Sequence, residues 1–126
     1  MFSVSVRHTA LVAYSLKGTQ FGSAQQLHGA TLIVDAEFFN ERLKDDNTVI
    51  DILLASQILQ DVLSNLNYRN LDEMEAFAKV NTTIEYLASY VHYEIMKRVR
   101  HNFSGQLKVT IHETDRAWAS YMKAAD

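Results

Sequence analysis

His28 is the residue of this chain whose type and position point most directly to chemistry. It begins an apolar, β-branched run at residues 28–34, directly after a polar segment that contains Gln25 and Gln26. This pattern predicts a loop that enters a strand. A histidine can exchange a proton near neutral pH or bind a metal ion. From the pattern alone, the simplest interpretation is a partly buried side chain that donates to a backbone carbonyl.

The amino-acid composition argues against several classes of site and partner. The chain of 126 residues carries a net charge of −3, is 48% hydrophobic and contains no cysteine. It is therefore expected to form a single domain at residues 1–126, with neither a disulfide framework, a thiolate metal site nor a cysteine nucleophile. The one basic tract, residues 97–101, is interpreted as cations at a helix C-terminus, so no nucleic-acid partner is expected.

Hydropathy gives a second set of expectations. No run of about 18 apolar residues is present, so no membrane partner is expected. Arg7 and His8 interrupt the first apolar stretch, and this argues against a signal peptide. We therefore expect a cytoplasmic protein.

Periodicity predicts two hairpins around a helical pair. Alternation and apolar runs predict strands, and apolar residues three or four apart predict helices. Asn47 or Thr48 is expected to cap the first helix, and Thr82 with Glu85 fits a capping box for the second. The predicted elements are a strand or pair of strand segments at 2–16, a flexible loop at 17–23, a strand at 28–38, a helix at 48–65, an irregular segment at 68–79, a helix that opens at 81–85, and strands at 106–114 and 116–122.

The predicted order favours an α+β fold with an antiparallel four-stranded sheet, ββααββ, and both helices on one face. Apolar residues occur at both parities of the first two strands, so the second face should also be covered. A sheet this small has two open edges, which pairing with other copies would close. The pattern therefore predicts a symmetric homo-oligomer with continuous sheets.

Several short segments, taken in chain order, resemble motifs of the 6-pyruvoyl and 6-carboxytetrahydropterin synthase family. Residues 24–30, AQQLHGA, resemble Cys-x-x-x-His-Gly-His, and residues 12–16, VAYSL, resemble a strand that ends in Ala-Ala-His-Arg-Leu. Further along, residues 49–52 resemble Val-x-Asp-Phe, and residues 66–72 resemble Leu-Asp-His-x-x-Leu-Asn. Residues 81–85 resemble Asn-Pro-Thr-Ser-Glu, and residues 111–114 resemble a strand that ends in Glu-Thr.

This resemblance implies a tunnelling fold, in which hairpin pairs from several subunits close a barrel. The family suggests a homohexamer of two stacked trimers with pterin sites between subunits. It also implies substrate-binding roles for two residues of this chain. Glu113 would anchor the 2-amino group and a ring nitrogen of a pterin or purine-like molecule, and Thr83, within the segment that resembles Asn-Pro-Thr-Ser-Glu, would be a second substrate-binding residue.

The chain departs from the family where the chemistry is concentrated. Of three histidines that hold zinc in the family, only His28 is present, and Tyr14 and Ala30 stand at the other two positions. Ala24 replaces the family cysteine, and Asn67 with Tyr68 replaces the Asp-His pair. We therefore expect no zinc and no other cofactor.

Two functions of different classes follow from this comparison. The first is a metal-independent lyase that cleaves the side chain of a dihydroneopterin-type compound, with Tyr14, His28 and Tyr68 as acid–base groups. The second is a non-catalytic paralogue that binds a pterin or serves only in assembly. Loss of the metal ligands, nucleophile and base together favours the second, whereas tyrosine at two of those positions slightly favours the first.

Overall fold

The computed structural model describes residues 1–125. The chain forms one five-stranded sheet with two helices packed on one face. The elements are β1 (Phe2–Tyr14), β2 (His28–Asn40), α1 (Ile52–Ser64), β3 (Arg69–Asn70), α2 (Ile84–Val99), β4 (Gln106–His112) and β5 (Trp118–Ala124). Short 3₁₀ turns lie at Thr19–Gln25, Leu71–Glu73 and Glu75–Phe77. The α+β class and the order of two hairpins around a helical pair are confirmed.

The sheet order is β3-β1-β2-β4-β5. The expectation of four strands was wrong, because Arg69 and Asn70 pair in parallel with Val12 and Ala13. So short a pairing carries no period-two signal that a sequence pattern could reveal. All other neighbouring strands are antiparallel, as predicted for β1 and β2.

The β1–β2 hairpin runs in unbroken register from Phe2 opposite Asn40 to Tyr14 opposite His28. Burial alternates along both strands, because successive side chains point to opposite faces of a sheet. The buried parity includes Val6, Ala10 and Tyr14 and faces the helices. The opposite face, which includes Arg7 and Asp35, is more exposed within the single chain.

Helix α1 begins later than periodicity predicts. Its N-cap is Asp51, whose side chain accepts from the amide of Leu53. The predicted caps, Asn47 and Thr48, belong to the preceding turn instead. Asn47 has a φ of 64°, and the Thr48 hydroxyl donates to the Asp46 carboxylate over 2.6 Å. This local hydrogen bond holds Thr48 in the turn. Helix α1 therefore begins at Ile52, four residues later than expected.

Helix α2 is capped by Thr83, which accepts from the amide of Tyr86 over 3.1 Å. The predicted capping box with Thr82 was therefore wrong by one residue. Thr82 is instead buried beside the helix start. Ala88, Val91 and Ile95 are spaced three or four residues apart, as expected for the inner face of a helix, and all three are fully buried.

The segment between β1 and β2, which was expected to be a flexible loop, contains short helical turns. It forms 3₁₀ turns separated by Gly22, and Gly18 precedes them. The φ angles of Gly18 and Gly22 are 127° and 56°, a region that glycine adopts without steric cost. In the part of the chain described, no helix combines the length and the apolar character needed to cross a bilayer.

Candidate functional site

Tyr14 and His28 form a cross-strand pair at one end of the sheet. Tyr14 is the last residue of β1, His28 is the first of β2, and the two are directly opposite in the ladder. Their ring centroids lie 4.6 Å apart with planes tilted by 53°. Tyr14 is 2% exposed, whereas His28 is partly exposed. The pair therefore presents one buried phenol and one accessible imidazole at the same position.

Glu113 contacts Tyr14 from the turn that follows another strand. It directly follows β4, and its amide donates to the carbonyl of Ala117 over 3.1 Å in the turn toward β5. The Tyr14 hydroxyl donates to Oε1 of Glu113 over 3.3 Å. Within residues 1–125, Oε2 of Glu113 has no hydrogen-bond partner. Because each carboxylate oxygen can accept more than one bond, the group can still accept two parallel N–H donors.

Burial and the neighbouring carboxylate control the protonation of Tyr14. Burial, followed by the negative charge of Glu113 and the hydrogen bond to it, raises the pKa of Tyr14 to about 12. A phenol with this pKa stays protonated at neutral pH. Tyr14 can therefore donate a hydrogen bond or a proton, but it is a poor general base.

The imidazole of His28 is oriented by its own loop. Its Nδ1 atom lies 2.9 Å from the carbonyl oxygen of Gln26, which can only accept, so Nδ1 is the donor. This geometry matches the simplest interpretation of the sequence pattern. The second ring nitrogen, Nε2, is therefore the one that remains available for a further polar contact.

Two side chains from the segment between α1 and α2 hold the residues that follow Tyr14. Asp72 accepts from the amide of Ser15 over 3.2 Å and from its hydroxyl over 2.6 Å. The Asn81 amide bonds both backbone groups of Lys17, over 2.9 and 3.1 Å. Sequence reasoning did not identify Asp72 and Asn81 as positioning residues, because contacts between residues 57 and 64 positions apart leave no local pattern.

Tyr68 is separate from this cluster within one chain. It has a φ of 62°, is 80% exposed, and donates its amide to the carbonyl of Leu11 over 2.6 Å. Asn67 accepts from the Leu11 amide over 2.8 Å, so the two residues extend the edge of β1. Leu11 belongs to the sheet parity that faces away from the helices. The structure therefore does not bring Tyr68 together with Tyr14 and His28.

Thr83 has a local structural role. Its hydroxyl oxygen accepts from the amide of Tyr86 as the cap of α2. No hydrogen bond joins Thr83 to Glu113 within residues 1–125. Of the five residues selected from sequence, the structure thus brings Tyr14 into contact with His28 and with Glu113.

The donors at this end of the sheet do not fit a zinc ion. The three positions expected to hold imidazoles carry Tyr14, His28 and Ala30, which supply one neutral nitrogen ligand, whereas catalytic zinc sites use three protein ligands. Two other histidines are engaged elsewhere, His8 with Ser56 and His112 with Asp35, each over 2.9 Å. Within residues 1–125, no three His, Asp or Glu side chains converge as a metal site.

Comparison with known proteins gives one family. The sequence profile of the 6-pyruvoyl tetrahydropterin synthase family matches residues 3–124 of this chain. No curated protein sequence matched in a similar comparison.

Solved structures resemble this fold over nearly its whole length. A 6-pyruvoyl tetrahydropterin synthase from Caenorhabditis elegans superposes with a TM-score of 0.81 at 21% identity, covering 97% of this chain and 95% of that chain. A 6-pyruvoyl tetrahydropterin synthase from Plasmodium falciparum gives a TM-score of 0.79 at 14% identity, covering 98% of both chains. An uncharacterised protein from Wolinella succinogenes gives a TM-score of 0.68 at 13% identity, covering 95% of this chain and 97% of that chain.

Proposed function

Because the chain belongs to the 6-pyruvoyl tetrahydropterin synthase family, we propose that it binds a pterin through the carboxylate of Glu113 and does so without zinc. One observation carries this proposal: an exposed carboxylate at a strand end receives a hydrogen bond from the buried phenol of Tyr14. A carboxylate fixed in this way can accept two parallel N–H bonds from the aminopyrimidine edge of a pterin. Such bidentate, charge-assisted bonds are strong and geometrically selective.

Tyr14 and His28 complete the proposed site. Tyr14 fixes one oxygen of Glu113 and remains a neutral donor, because its pKa is raised to about 12. Nε2 of His28 is available to the ligand, since Nδ1 is engaged with Gln26. Tyr68 and Thr83 lie outside this cluster, so they would join a pterin site only at a boundary between subunits.

The assembly proposed for this chain is a homohexamer of two stacked trimers. Within residues 1–125, β3 covers only Val12 and Ala13 of the outer edge of β1, and the outer edge of β5 has no strand partner. Exposed strand edges of this length are closed most simply by pairing with another copy. Closure into a barrel would cover the sheet face that the helices leave open.

The test of pterin binding is calorimetric titration with neopterin and biopterin. Glu113→Gln replaces one acceptor by a donor and removes the charge, so it should weaken binding by roughly 2–4 kcal/mol, a factor of about 30 to 1,000. Asp115→Asn is the matched control, because it removes one negative charge two residues away in the same exposed turn. Its affinity should stay within about twofold of wild type.

Two outcomes would contradict this function. Equal affinity in wild type and Glu113→Gln would show that the carboxylate does not anchor the ring. Absence of binding to any pterin or purine by the wild-type protein would leave a protein that serves only in assembly.

A second candidate is a metal-independent lyase acting on a dihydropterin side chain. The contact between Tyr14 and His28 supports it, because it places a proton donor beside an imidazole at the proposed ligand site. Retro-aldol cleavage needs a base on a side-chain hydroxyl and an acid near the ring. Incubation with dihydroneopterin and with its triphosphate, followed by chromatography of the products, tests this candidate. An unchanged side chain after prolonged incubation would favour the binding protein.

A further inference from the structure

A polar cavity lies at the opposite end of the sheet from Glu113. It has a volume of about 210 Å³ and is bounded by the end of β2, the loop before α1 and the segment after α2. Two cationic side chains, Lys44 and Arg100, line it together with the imidazole of His101. Its other polar lining residues are Asn40, Asn102 and Ser104, and none of the lining residues is acidic.

Among residues 1–125, the polar side chains that line this cavity form no side-chain hydrogen bond and no salt bridge. Within the described part of the chain, Lys44, Arg100 and His101 form no salt bridge, although the hydrogen bond from Thr48 and then the nearby charge of Lys44 help to lower the pKa of the Asp46 carboxyl. The three uncharged residues form no side-chain hydrogen bond there either. A chain with a net charge of −3 thus gathers several hydrogen-bond donors around one small space.

Asp46 and Glu94 are nearby carboxylates that do not line the cavity. Asp46, which lies two residues after Lys44, accepts from the hydroxyl and amide of Thr48 and lines a different cavity. Glu94 is paired with Lys97 and Arg98 on the exposed side of α2. The lining of the cavity therefore contains cations and no carboxylate, and Asp46 acts on Lys44 only from outside it.

The C-terminus of α2 accounts for the positions of Arg100 and His101 but not for that of Lys44. Arg100 is the C-cap of α2 and His101 follows it, positions that the helix dipole makes favourable for cations. Lys44 comes from the loop between β2 and α1, however, and its position owes nothing to that dipole. The loop is fixed by two backbone hydrogen bonds, from Lys44 to Thr48 over 2.9 Å and from Asn47 to Lys44 over 2.8 Å.

We propose that this cavity binds the phosphate group of a small anion. An arginine supplies a planar set of N–H donors and a lysine a mobile point charge, which are the two groups that proteins use most to bind phosphate. The cavity is smaller than the roughly 300–1,000 Å³ of pockets that hold drug-sized ligands. Its size therefore suits inorganic phosphate or the terminal group of a phosphate ester rather than a whole cofactor.

This site is separate from the proposed pterin site. Asn40 is the last residue of the 13-residue strand β2, and His28 is the first. A strand of that length spans about 40 Å at 3.3 Å per residue. No single small molecule bridges that distance within one chain, so phosphate binding does not rest on the role of Glu113.

Calorimetric titration with inorganic phosphate, at fixed ionic strength and with chloride as the competing anion, tests the proposal. Lys44→Gln and Arg100→Gln should each weaken phosphate binding about tenfold or more, because each removes a charge-assisted hydrogen bond. Arg98→Gln is the matched control: it removes the same charge from the same helix end but lies outside the cavity. It should change the affinity less than twofold. Tripolyphosphate and a phosphate monoester, titrated in parallel, distinguish a free anion from an esterified group.

Two results would overturn the proposal. Equal weakening by Arg98→Gln and Arg100→Gln would indicate general attraction to a basic surface. A wild-type protein without saturable phosphate binding would exclude the site. Circular dichroism of each variant establishes that its helices are intact, so that a loss of binding is assigned to the cavity.

Discussion

The Tyr14 hydroxyl donates to Glu113 across 99 positions of sequence, over 3.3 Å. This hydrogen bond joins the end of β1 to the end of β4, although β2 lies between these strands in the sheet. It orients an exposed carboxylate by means of a nearly fully buried phenol. The contact therefore connects the hydrophobic core to the surface at which a ligand is proposed to bind.

Tyr14→Phe should lower the free energy of unfolding by about 1 kcal/mol, because it deletes one hydrogen bond but keeps the buried ring. Urea unfolding monitored by circular dichroism measures this change. Tyr86→Phe is the control, since its hydroxyl forms no hydrogen bond within residues 1–125 and its ring is more exposed. Equal effects of the two substitutions would contradict a stabilising contact between Tyr14 and Glu113.

Metal removal should leave the protein unchanged. The purified protein should contain zinc well below one ion per chain, and chelators should not shift the melting temperature, because Tyr14 and Ala30 replace two of the three imidazole ligands. Elemental analysis and thermal melting with and without chelator measure both quantities. One tightly bound zinc per chain would mean that other side chains provide the ligands, with His8 and His112 the first to be substituted.

The protein should form a stable oligomer. Most of β1 and all of β5 present outer edges that no strand covers within residues 1–125, and Trp118 on β5 is 59% exposed. Closing these edges removes unpaired backbone groups and apolar surface from water together. Sedimentation velocity over a dilution series should give the mass of a hexamer. A stable monomer at micromolar concentration would exclude the assembly.

His92 should make stability fall in mild acid. Burial lowers the pKa of His92 from its ordinary 6.5, while its Nε2–H donates to the carbonyls of Leu107 and Lys123. Lys123 and the Tyr121 ring, both from β5, are the charged and titratable groups that face it. Below pH 6.5 the unfolded chain binds a proton that the folded chain resists, so stability is complete above 6.5 and decreases toward the lower folded pKa.

His92→Gln should remove this part of the pH dependence, because glutamine can still donate to a carbonyl and does not titrate. Denaturation at several pH values between 5 and 8 compares the two proteins. The Asp35 carboxyl contributes to stability over a different pH range. Its hydrogen bonds to Arg7 lower its pKa from 3.8, so its contribution to stability is lost only at more acidic pH. Equal losses of stability in wild type and His92→Gln between pH 7 and 5 would rule out the role of His92.

Much of the fold follows from local periodicity. The long strands, the apolar stripe of α2 and the pairing of β1 with β2 are set by alternation and helical spacing, which the sequence displays directly. The helix starts were misplaced because they depend on side-chain bonds within a few residues. Thr48 donates to Asp46 instead of capping α1, and Thr83 rather than Thr82 accepts from the amide of Tyr86. The predicted and the observed cap residues are of types that are equally suited to an N-cap, so residue type alone does not distinguish them.

The candidate site was only partly predictable. His28 and Glu113 stand out at strand ends, and the family resemblance assigned them roles along with Tyr14. Nothing in the local sequence shows that Tyr14 lies against Glu113 or that Tyr68 faces away from both, because such placement depends on strand order and register. Strand order is a global property that residues far apart in the chain determine together.

The hydrogen bonds of Asp72 and Asn81 also have a consequence for the order of folding. They connect the end of β1 to residues 57 and 64 positions later, and Tyr14 meets its partner 99 positions later. Contacts of such long range form only after large loops have closed, which makes them slow. We therefore expect the proposed ligand site to mature after the β1–β2 hairpin and the two helices have formed. A chain still being synthesised would remain unable to bind until its last two strands had emerged.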